Sequence, residues 1–284
     1  MFGKKGQVAT EVLRRAPDSV IVTPLDRTEA DLSNPEKCAA HVHKSDADLV
    51  LNAAAYTAVD KAEEEIDLAM AVNALAPGAM ADAAAEKGIP FLHISTDYVF
   101  DGTGQDPWSE DDPTSPLGSY GRSKRVGEER VIASGARHVI LRTAWVHAAH
   151  GNNFVRTMLR VGASRDRVTV VDDQFGGPTA AGDIADAILA IGAAYGRGDG
   201  RSGIYHFSGA PYVSWCGFAR AIFEEAGMTT EVAPIPSSDW PTPAPRPANS
   251  RLDCAKIAAD YGIPQPDWRT SLKAILKELE STRT

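Results

Sequence analysis

Gly3-Lys4-Lys5-Gly6-Gln7-Val8-Ala9 runs directly into a helix-like stretch from Thr10 to Arg15. The pattern is G-x-x-G-x-x-A. Glycines at the first two places let backbone approach a pyrophosphate, which then sits at the positive end of the following helix. Ala9 is small enough for that helix to pack closely on a strand. Asp26 and Arg27 come at the end of the run Val20–Leu25. An acidic residue there suits a ribose 2′-hydroxyl, and an Arg suits a 2′-phosphate. Arg27 tilts the expectation to NADPH, with NADH accepted as well. Only Met1 and Phe2 precede Gly3, whereas a strand usually has about 5–6 residues. The first strand is expected to be truncated or vestigial.

Downstream, strand-like and helix-like runs alternate. Ser19–Val22, Asp48–Asn52, Phe91–Ser95 and His138–Arg142 read as strands, with Val168–Val171 and Gly203–Phe207 later. Ala-rich stretches with helical spacing lie between them: Glu36–His43, Asp67–Lys87, Ser123–Ser134 and then Asp183–Tyr195. Such alternation implies βαβ units around a parallel sheet, hence an α/β fold of the Rossmann-type, doubly wound kind. A Pro-rich segment from Ala233 to Asn249 carries few strand or helix signals, and a long ordered loop of this kind is often functional. The expected division is a cofactor-binding domain at 1–148 plus about 168–207. A smaller C-terminal substrate-binding lobe would take about 149–167 plus 208–284.

The 284 residues allow one large domain or a domain with a lobe. A formal charge of −9 argues against a nucleic-acid or anionic-membrane surface. Cys38, Cys216 and Cys254 are odd in number and far apart, with no C-x-x-C. Neither a disulfide framework nor a zinc site is expected, and a reducing cytoplasm is favoured. The apolar runs read as too short to span a bilayer, and no signal region is expected.

Tyr120 and Lys124 lie four residues apart, so a helix would put the phenol and the ammonium on one face. A nearby Lys⁺ would lower the phenol pKa from about 10. Upstream, Ser95-Thr96-Asp97-Tyr98 follows the apolar run Phe91–Ile94, and a hydroxyl there would orient a substrate carbonyl. The set suits proton donation to a ketone under reduction.

These motifs together resemble the dTDP-4-dehydrorhamnose reductases of the extended short-chain dehydrogenase/reductase superfamily. The resemblance rests on Phe2–Val8, Asn52–Glu63, Ser95–Gly102 and Tyr120-Gly121-x-x-Lys124-x-x-Gly127-Glu128. It continues through Arg142–Val146, Gly151–Phe154, Asp173–Thr179 and Arg246-Pro247-x-Asn249-Ser250-x-Leu252, in the family's order over nearly the whole chain. Ala9 stands where the family commonly has Gly.

The resemblance implies NAD(P)H-dependent reduction of the C4 ketone of dTDP-4-dehydro-L-rhamnose, by a monomer or homodimer without nucleic-acid or membrane partners. Gly3, Gly6, Gln7 and Val8 would line the pyrophosphate, and Asp26 and Arg27 the adenosine ribose. Asp31 and Leu32 would lie by the adenine. Ala54, Ala55 and Tyr56 would follow the strand supporting the cofactor. Thr96, Tyr120 and Lys124 would be catalytic, with Thr96 and Asp97 near the sugar and Trp145 against it. Asn153, Arg246 and Asn249 would help close over the nucleotide sugar. No metal is required for the chemistry, although some members hold Mg²⁺ between subunits near a glutamate matching Glu11.

Bland alternatives stand beside these. His147 and His150, with Asp172 and Asp173 downstream, lack a complete metal-ligand spacing. Glu63-Glu64-Glu65 reads as a solvated helix start. Trp108, Trp215, Trp240 and Trp268 read as packing residues. The enzymatic rivals are another nucleotide-sugar ketoreductase, an epimerase or a 4,6-dehydratase on the same fold; a dehydratase would need a glutamate after Thr96-Asp97, where Tyr98 stands. A non-catalytic nucleotide-binding regulatory subunit is the rival from another class.

Overall fold

Side chains on a strand alternate between faces, and three parallel strands here are apolar on both. Leu51, Leu92 and Leu141 face one core; Val50, Phe91 and Ile140 face the other. Strands buried on both faces are those of a sheet covered by helices on each side. The computed structural model describes residues 1–281; the last three residues of the expected lobe 208–284 lie outside the described residues.

The first half of the chain contains α1 (Gln7–Arg15), α2 (Pro35–Lys44), β1 (Val50–Asn52), α3 (Ile66–Met70), α4 (Ala76–Lys87), β2 (Phe91–Thr96), α5 (Ser119–Ala133) and β3 (His138–Thr143). Next come β4 (Val146–His147), α6 (Phe154–Gly162), β5 (Arg167–Val171), β6 (Phe175–Gly176), β7 (Thr179–Ala180), α7 (Ala181–Arg197) and β8 (Gly203–His206). The chain closes with β9 (Val213–Ser214), α8 (Trp215–Glu225), β10 (Glu231–Ile235), β11 (Asn249–Ser250), α9 (Ala255–Tyr261) and α10 (Trp268–Ser281).

The main sheet is parallel, in the order β1-β2-β3-β8. Helices α1 and α7 cover one face, and α2, α4 and α5 the other. This is the Rossmann-type, doubly wound arrangement. The sheet continues beyond β1 through Phe2, which bridges Asn52 on one side and Leu25 on the other. Phe2 N donates to Leu51 O (2.8 Å), Ala53 N to Phe2 O (2.9 Å), and Gly3 N to Leu25 O (2.9 Å). Phe2 thus occupies a central place between β1 and the segment at Leu25 and leads into the glycine turn.

Ser19–Val22 is not a strand, contrary to expectation. Met1 and Phe2 pair with this segment from Thr23 to Leu25, and residues 19–22 lie beyond that pairing. Val20 and Ile21 are 42% and 93% exposed accordingly. The membrane reading also needs correction. The continuous helix Ile66–Lys87 has 22 residues and a mean hydropathy of 1.3, long and apolar enough to cross a membrane by length and composition. Its apolarity reflects its place in the core, where Ala69, Ala74, Met80, Ala81 and Ala84 are buried.

A third core forms around α6, α8, α10 and the parallel pair β5–β10. Strand β10 contains Pro234, inside the segment read as lacking strand signals. Proline lacks a donor, and β10 is tolerant of it because β5 is its single strand partner. Two small sheets, β11-β6-β9 and β4-β7, join this lobe to the main sheet.

Candidate active site

The glycine turn builds one end of a cleft. Gly3 has φ +106°, and a Cβ there would lie 3.3 Å from the Ala53 carbonyl carbon. Only glycine brings the two backbones this close. Helix α1 starts at Gln7 with Gly6 as N-cap; no side chain caps it and its first turn holds no acidic residue. Its amide N–H groups and the positive end of its dipole are therefore available to an anion. Gly3, Gly6, Gln7 and Val8 line the cleft, as do Ala54, Ala55 and Tyr56 on the opposite wall.

Asp26, Arg27, Asp31 and Leu32 line the same cleft farther along. Asp26 Oδ1 accepts from Thr28 N (2.9 Å) and Thr28 Oγ1 (2.6 Å), and these hydrogen bonds hold its carboxyl below the usual range. Arg27 reaches Asp31 by a single long contact, Nε to Oδ2 at 3.4 Å, and is 79% exposed. Its guanidinium keeps donors free for a phosphate.

The cleft continues past the ends of β2 and β3 to Thr96, Asp97, Tyr120, Lys124 and Trp145. Its volume of about 1080 Å³ slightly exceeds the roughly 300–1,000 Å³ of drug-sized ligand sites, which suits two ligands end to end. Four buried side-chain polar atoms lack a hydrogen-bond partner among the described residues. Three of them, Ser95 Oγ, Asp97 Oδ2 and Thr143 Oγ1, belong to cleft residues. Buried polar groups are ordinarily paired, so these atoms fit a wall that meets a polar ligand.

Tyr120 and Lys124 sit on the first turns of α5, which begins four residues earlier than the helical spacing suggested. Lys124 is 1% exposed. Its Nζ donates to Ile94 O (2.7 Å) and lies 3.0 Å from His93 Nε2. Burial lowers its pKa to about 8, opposed by the charge of Glu128. Burial likewise keeps His93 neutral, helped by the Lys124 charge. Burial pushes Tyr120 up to about 12, with its hydrogen bond to Thr96 opposing and the Asp97 charge adding. The phenol pKa is thus not lowered as the sequence suggested, because the ammonium turns toward Ile94 O and His93 and burial dominates. Burial also raises Asp97 to about 6, opposed by hydrogen bonding such as that from Thr96 Oγ1 to Oδ1 (3.1 Å).

Several residues that hold this set carried no functional reading. Gly121 lets α5 touch the turn after β2: a Cβ there would lie 2.2 Å from Tyr98 O. Asn73, on the π-helical stretch Ala71–Leu75, binds both Tyr56 N (2.8 Å) and Tyr56 O (3.0 Å). It also donates to Ser123 Oγ (3.0 Å), which donates to Tyr120 O (2.7 Å). One amide thereby ties the segment at Tyr56 to α5. The available signal was a polar residue in an otherwise apolar helix. Glu63 is not simply solvated: it accepts from Ser119 N (2.7 Å) and Ser119 Oγ (3.0 Å) at the N-terminus of α5. Glu65 accepts from the Tyr56 hydroxyl (2.6 Å).

Asn153, Arg246 and Asn249 do not line the cleft and are engaged within the protein. Asn153 caps α6 and donates to Gln7 Oε1 (2.8 Å), bracing the glycine turn. Arg246 pairs with Asp60 Oδ2 (2.8 Å), fastening the Pro-rich segment to the loop after β1. Asn249 is 1% exposed and donates to Asp106 O (2.8 Å) and Thr103 O (3.3 Å). Glu11 meets Arg14 (3.0 Å), Arg15 (2.9 Å) and His150 (2.7 Å), a donor set that does not suit a cation. No group of three or more His, Cys, Asp or Glu placed for a metal occurs among the described residues. Trp108 stacks on Phe100, Trp215 on Trp145, and Trp268 is buried; Trp240 departs from the packing expectation at 59% exposed.

The family model described as "RmlD substrate binding domain" matches residues 1–281. A curated relative named dTDP-4-dehydrorhamnose reductase, from Salmonella typhimurium, is 42% identical, covering 100% of this chain and 98% of the relative. A solved dTDP-4-dehydrorhamnose reductase from Clostridium acetobutylicum superposes with a TM-score of 0.92 at 35% identity, covering 98% of each chain. One from Bacillus anthracis, solved in complex with NADP, has a TM-score of 0.92 at 32% identity and covers 98% of this chain and 97% of its own.

Proposed function

The chain belongs to the RmlD substrate binding domain family, and from that premise we propose that it is a dTDP-4-dehydrorhamnose reductase, reducing the C4 ketone of dTDP-4-dehydro-L-rhamnose to dTDP-L-rhamnose. The observation that carries this reading is one cleft with a bare helix N-terminus at one end and Thr96, Tyr120 and Lys124 at the other.

The residues fit a dinucleotide. Gly3, Gly6, Gln7 and Val8 would hold its pyrophosphate, Asp26 and Arg27 its adenosine ribose, and Lys124 its nicotinamide ribose. Bound there, the reduced cofactor supplies a hydride, chemistry that belongs to it and not to the side chains. The chain's own task is to manage the charge that develops on the ketone oxygen. The Thr96 hydroxyl donates a hydrogen bond to that oxygen, where preorganised donors count most. Tyr120, held as a neutral phenol by burial, delivers the proton from its Oη. Lys124 compensates the charge left on the phenol. Asp97, with Oδ2 unpartnered, accepts a sugar hydroxyl. Asn153 and Asn249 act by positioning the glycine turn and the Gly102–Trp108 loop. The nucleotide-sugar lobe comprises about 149–171 and the chain from 208 onward, since β5 packs with α6, α8 and β10 and not, as 168–207 was expected to, with the main sheet.

Incubating purified protein with the ketone and NADPH and following NADPH oxidation tests this directly. Well-folded protein that oxidises no NADPH would falsify the reading.

Cofactor choice follows from Arg27. A free guanidinium beside the adenosine ribose favours NADPH over NADH. Arg27→Ala is expected to raise the KM for NADPH about tenfold, as befits one hydrogen bond to a charged group, and to leave the KM for NADH within about twofold. Equal changes for both cofactors would place Arg27 elsewhere in the site.

The pH dependence follows from Lys124. Its ammonium is required, and its pKa is lowered to about 8. Activity should therefore fall as pH rises through about 8. Stability runs the other way: a base with a depressed folded pKa binds more protons unfolded, so its contribution to stability increases from about pH 8 up to the ordinary lysine value of 10.5. A kcat profile flat to pH 10 would contradict the assignment.

A further inference from the structure

Lys124 is buried with no carboxylate at its ammonium. Glu128, one turn along α5, is taken by Arg142, with Nη2 at 2.7 Å from Oε2. Nζ meets Ile94 O and His93 Nε2 instead, at 2.7 and 3.0 Å. His93 is buried as well, and its other ring nitrogen, Nδ1, accepts from Asn52 Nδ2 (3.1 Å). Asn52 is buried and is the register partner of His93 across β1 and β2. Its Oδ1 accepts from Ala54 N (3.2 Å), which sets the direction of the amide. A buried line of side chains, Asn52–His93–Lys124, thus crosses β1, β2 and α5. Its first two members have no part in the reaction as derived above.

Hydrogen-bond partners decide which ring nitrogen of a histidine carries the proton. Nδ1 accepts here, so a neutral imidazole holds its one proton on Nε2, facing Nζ. That arrangement suits Lys124 as an amine, whose lone pair can receive the proton. An ammonium has donors only. It requires Nε2 bare, the proton on Nδ1, and the Asn52 amide turned to present its oxygen. A charged imidazole is excluded, because burial and the Lys124 charge both keep His93 neutral. The charge of Lys124 and the tautomer of His93 are therefore tied. The charged or titratable groups around the pair are Tyr120 and Glu128 on α5, Asp97 after β2 and Arg142 on β3. Glu128 is the one whose charge bears on Lys124, and β1 contributes the neutral Asn52.

We propose that His93 is a positioning residue for Lys124, aiming Nζ and, with Asn52 behind it, setting how readily the lysine keeps its charge. The inference rests on the reductase reading and adds the group that tunes its lysine. An imidazole that accepts from Nζ favours the ammonium. An Asn52 amide held by Ala54 N favours the amine.

The test records kcat against pH, with dTDP-4-dehydro-L-rhamnose and NADPH, for the full-length protein and for Asn52→Asp, His93→Phe and His93→Gln. Asn52→Asp offers Nδ1 an oxygen in either orientation, which pins the proton there and leaves Nε2 to accept. The alkaline limb should move up by about one pH unit, the scale of one hydrogen bond to a charged group. His93→Phe keeps a ring beside Phe91 and removes the acceptor, so the limb should move down by about as much. His93→Gln returns an oxygen acceptor and should restore most of that loss. A merely structural imidazole would change stability and leave the limb in place. Nitrogen-15 spectra of the histidine-labelled parent protein read the tautomer without any substitution. His93 should carry its proton on Nδ1 below about pH 8 and shift toward Nε2 as Lys124 loses its charge. Limbs that stay in place in active variants, or a tautomer constant from about pH 7 to 10, would overturn the inference and leave the reductase reading intact. A parent protein that does not reduce the ketone overturns the reductase reading, and the tautomer still decides whether His93 follows Lys124. It decides also where the variants do not fold.

Discussion

Tyr120→Phe is expected to lower kcat by about 10²–10⁴-fold, the range that general acid catalysis contributes, and to leave the affinity for NADPH within about twofold. The substitution removes one oxygen and keeps the ring in its contacts. That ring meets Tyr98 edge-on, with centroids 5.6 Å apart, and its backbone is anchored through Ser123 and Asn73. The loss therefore reports proton delivery and not a displaced helix. Burial raises the phenol pKa to about 12, so the residue carries its proton across the working pH range. Stopped-flow measurement of the hydride step, with NADPH affinity by fluorescence titration, separates the two effects. A variant that turns over at the parent rate would remove Tyr120 from the mechanism.

The second large effect is on stability. Glu128→Ala destabilises the fold by about 3–5 kcal/mol, because it leaves a buried Arg142 without its carboxylate. The pair is 3% exposed on both sides, with Arg142 Nη2 at 2.7 Å and Nε at 3.0 Å from the two carboxylate oxygens. Arg142 also lies over the Phe100 ring at 5.1 Å and 3.4 Å from His206 Nε2. It cannot reach water without breaking these contacts. Denaturant unfolding of both proteins measures the difference. Replacing both partners by apolar residues of similar volume should recover much of the loss, since a buried pair is worth little against good packing. Glu128 is one turn from Lys124 and its charge raises the Lys124 pKa. Glu128→Gln should therefore move the alkaline limb of activity below about pH 8.

The main sheet and its helices were legible because each element carried its own period. Phe91–Thr96 and His138–Thr143 are apolar runs of strand length, and α1 and α2 show helical spacing with a turn before each. Ser19–Val22 has the same apolar look as the others, yet a strand exists only where a neighbour presents hydrogen-bonding groups. The pairing with Met1 and Phe2 reaches only from Leu25 to Thr23, and nothing in the local pattern of 19–22 records it. Pro234 shows the converse, a residue that argues against a strand locally and is tolerated at an edge.

Residue type and order by themselves determined the chemistry on offer: a glycine turn able to approach a phosphate, a phenol and an ammonium four apart on a helix, and a hydroxyl at a strand end. Tertiary structure alone decided the state of those groups. Burial, which no spacing encodes, raises Tyr120 and lowers Lys124. Long-range contacts tie Asn73 to Tyr56 and Ser123, Glu63 to the start of α5 and Trp215 to Trp145. The physical reason is range. Periodicity and turn chemistry act over a few residues, whereas desolvation and ion pairing depend on everything within a few ångströms, and that neighbourhood exists only once the chain has folded.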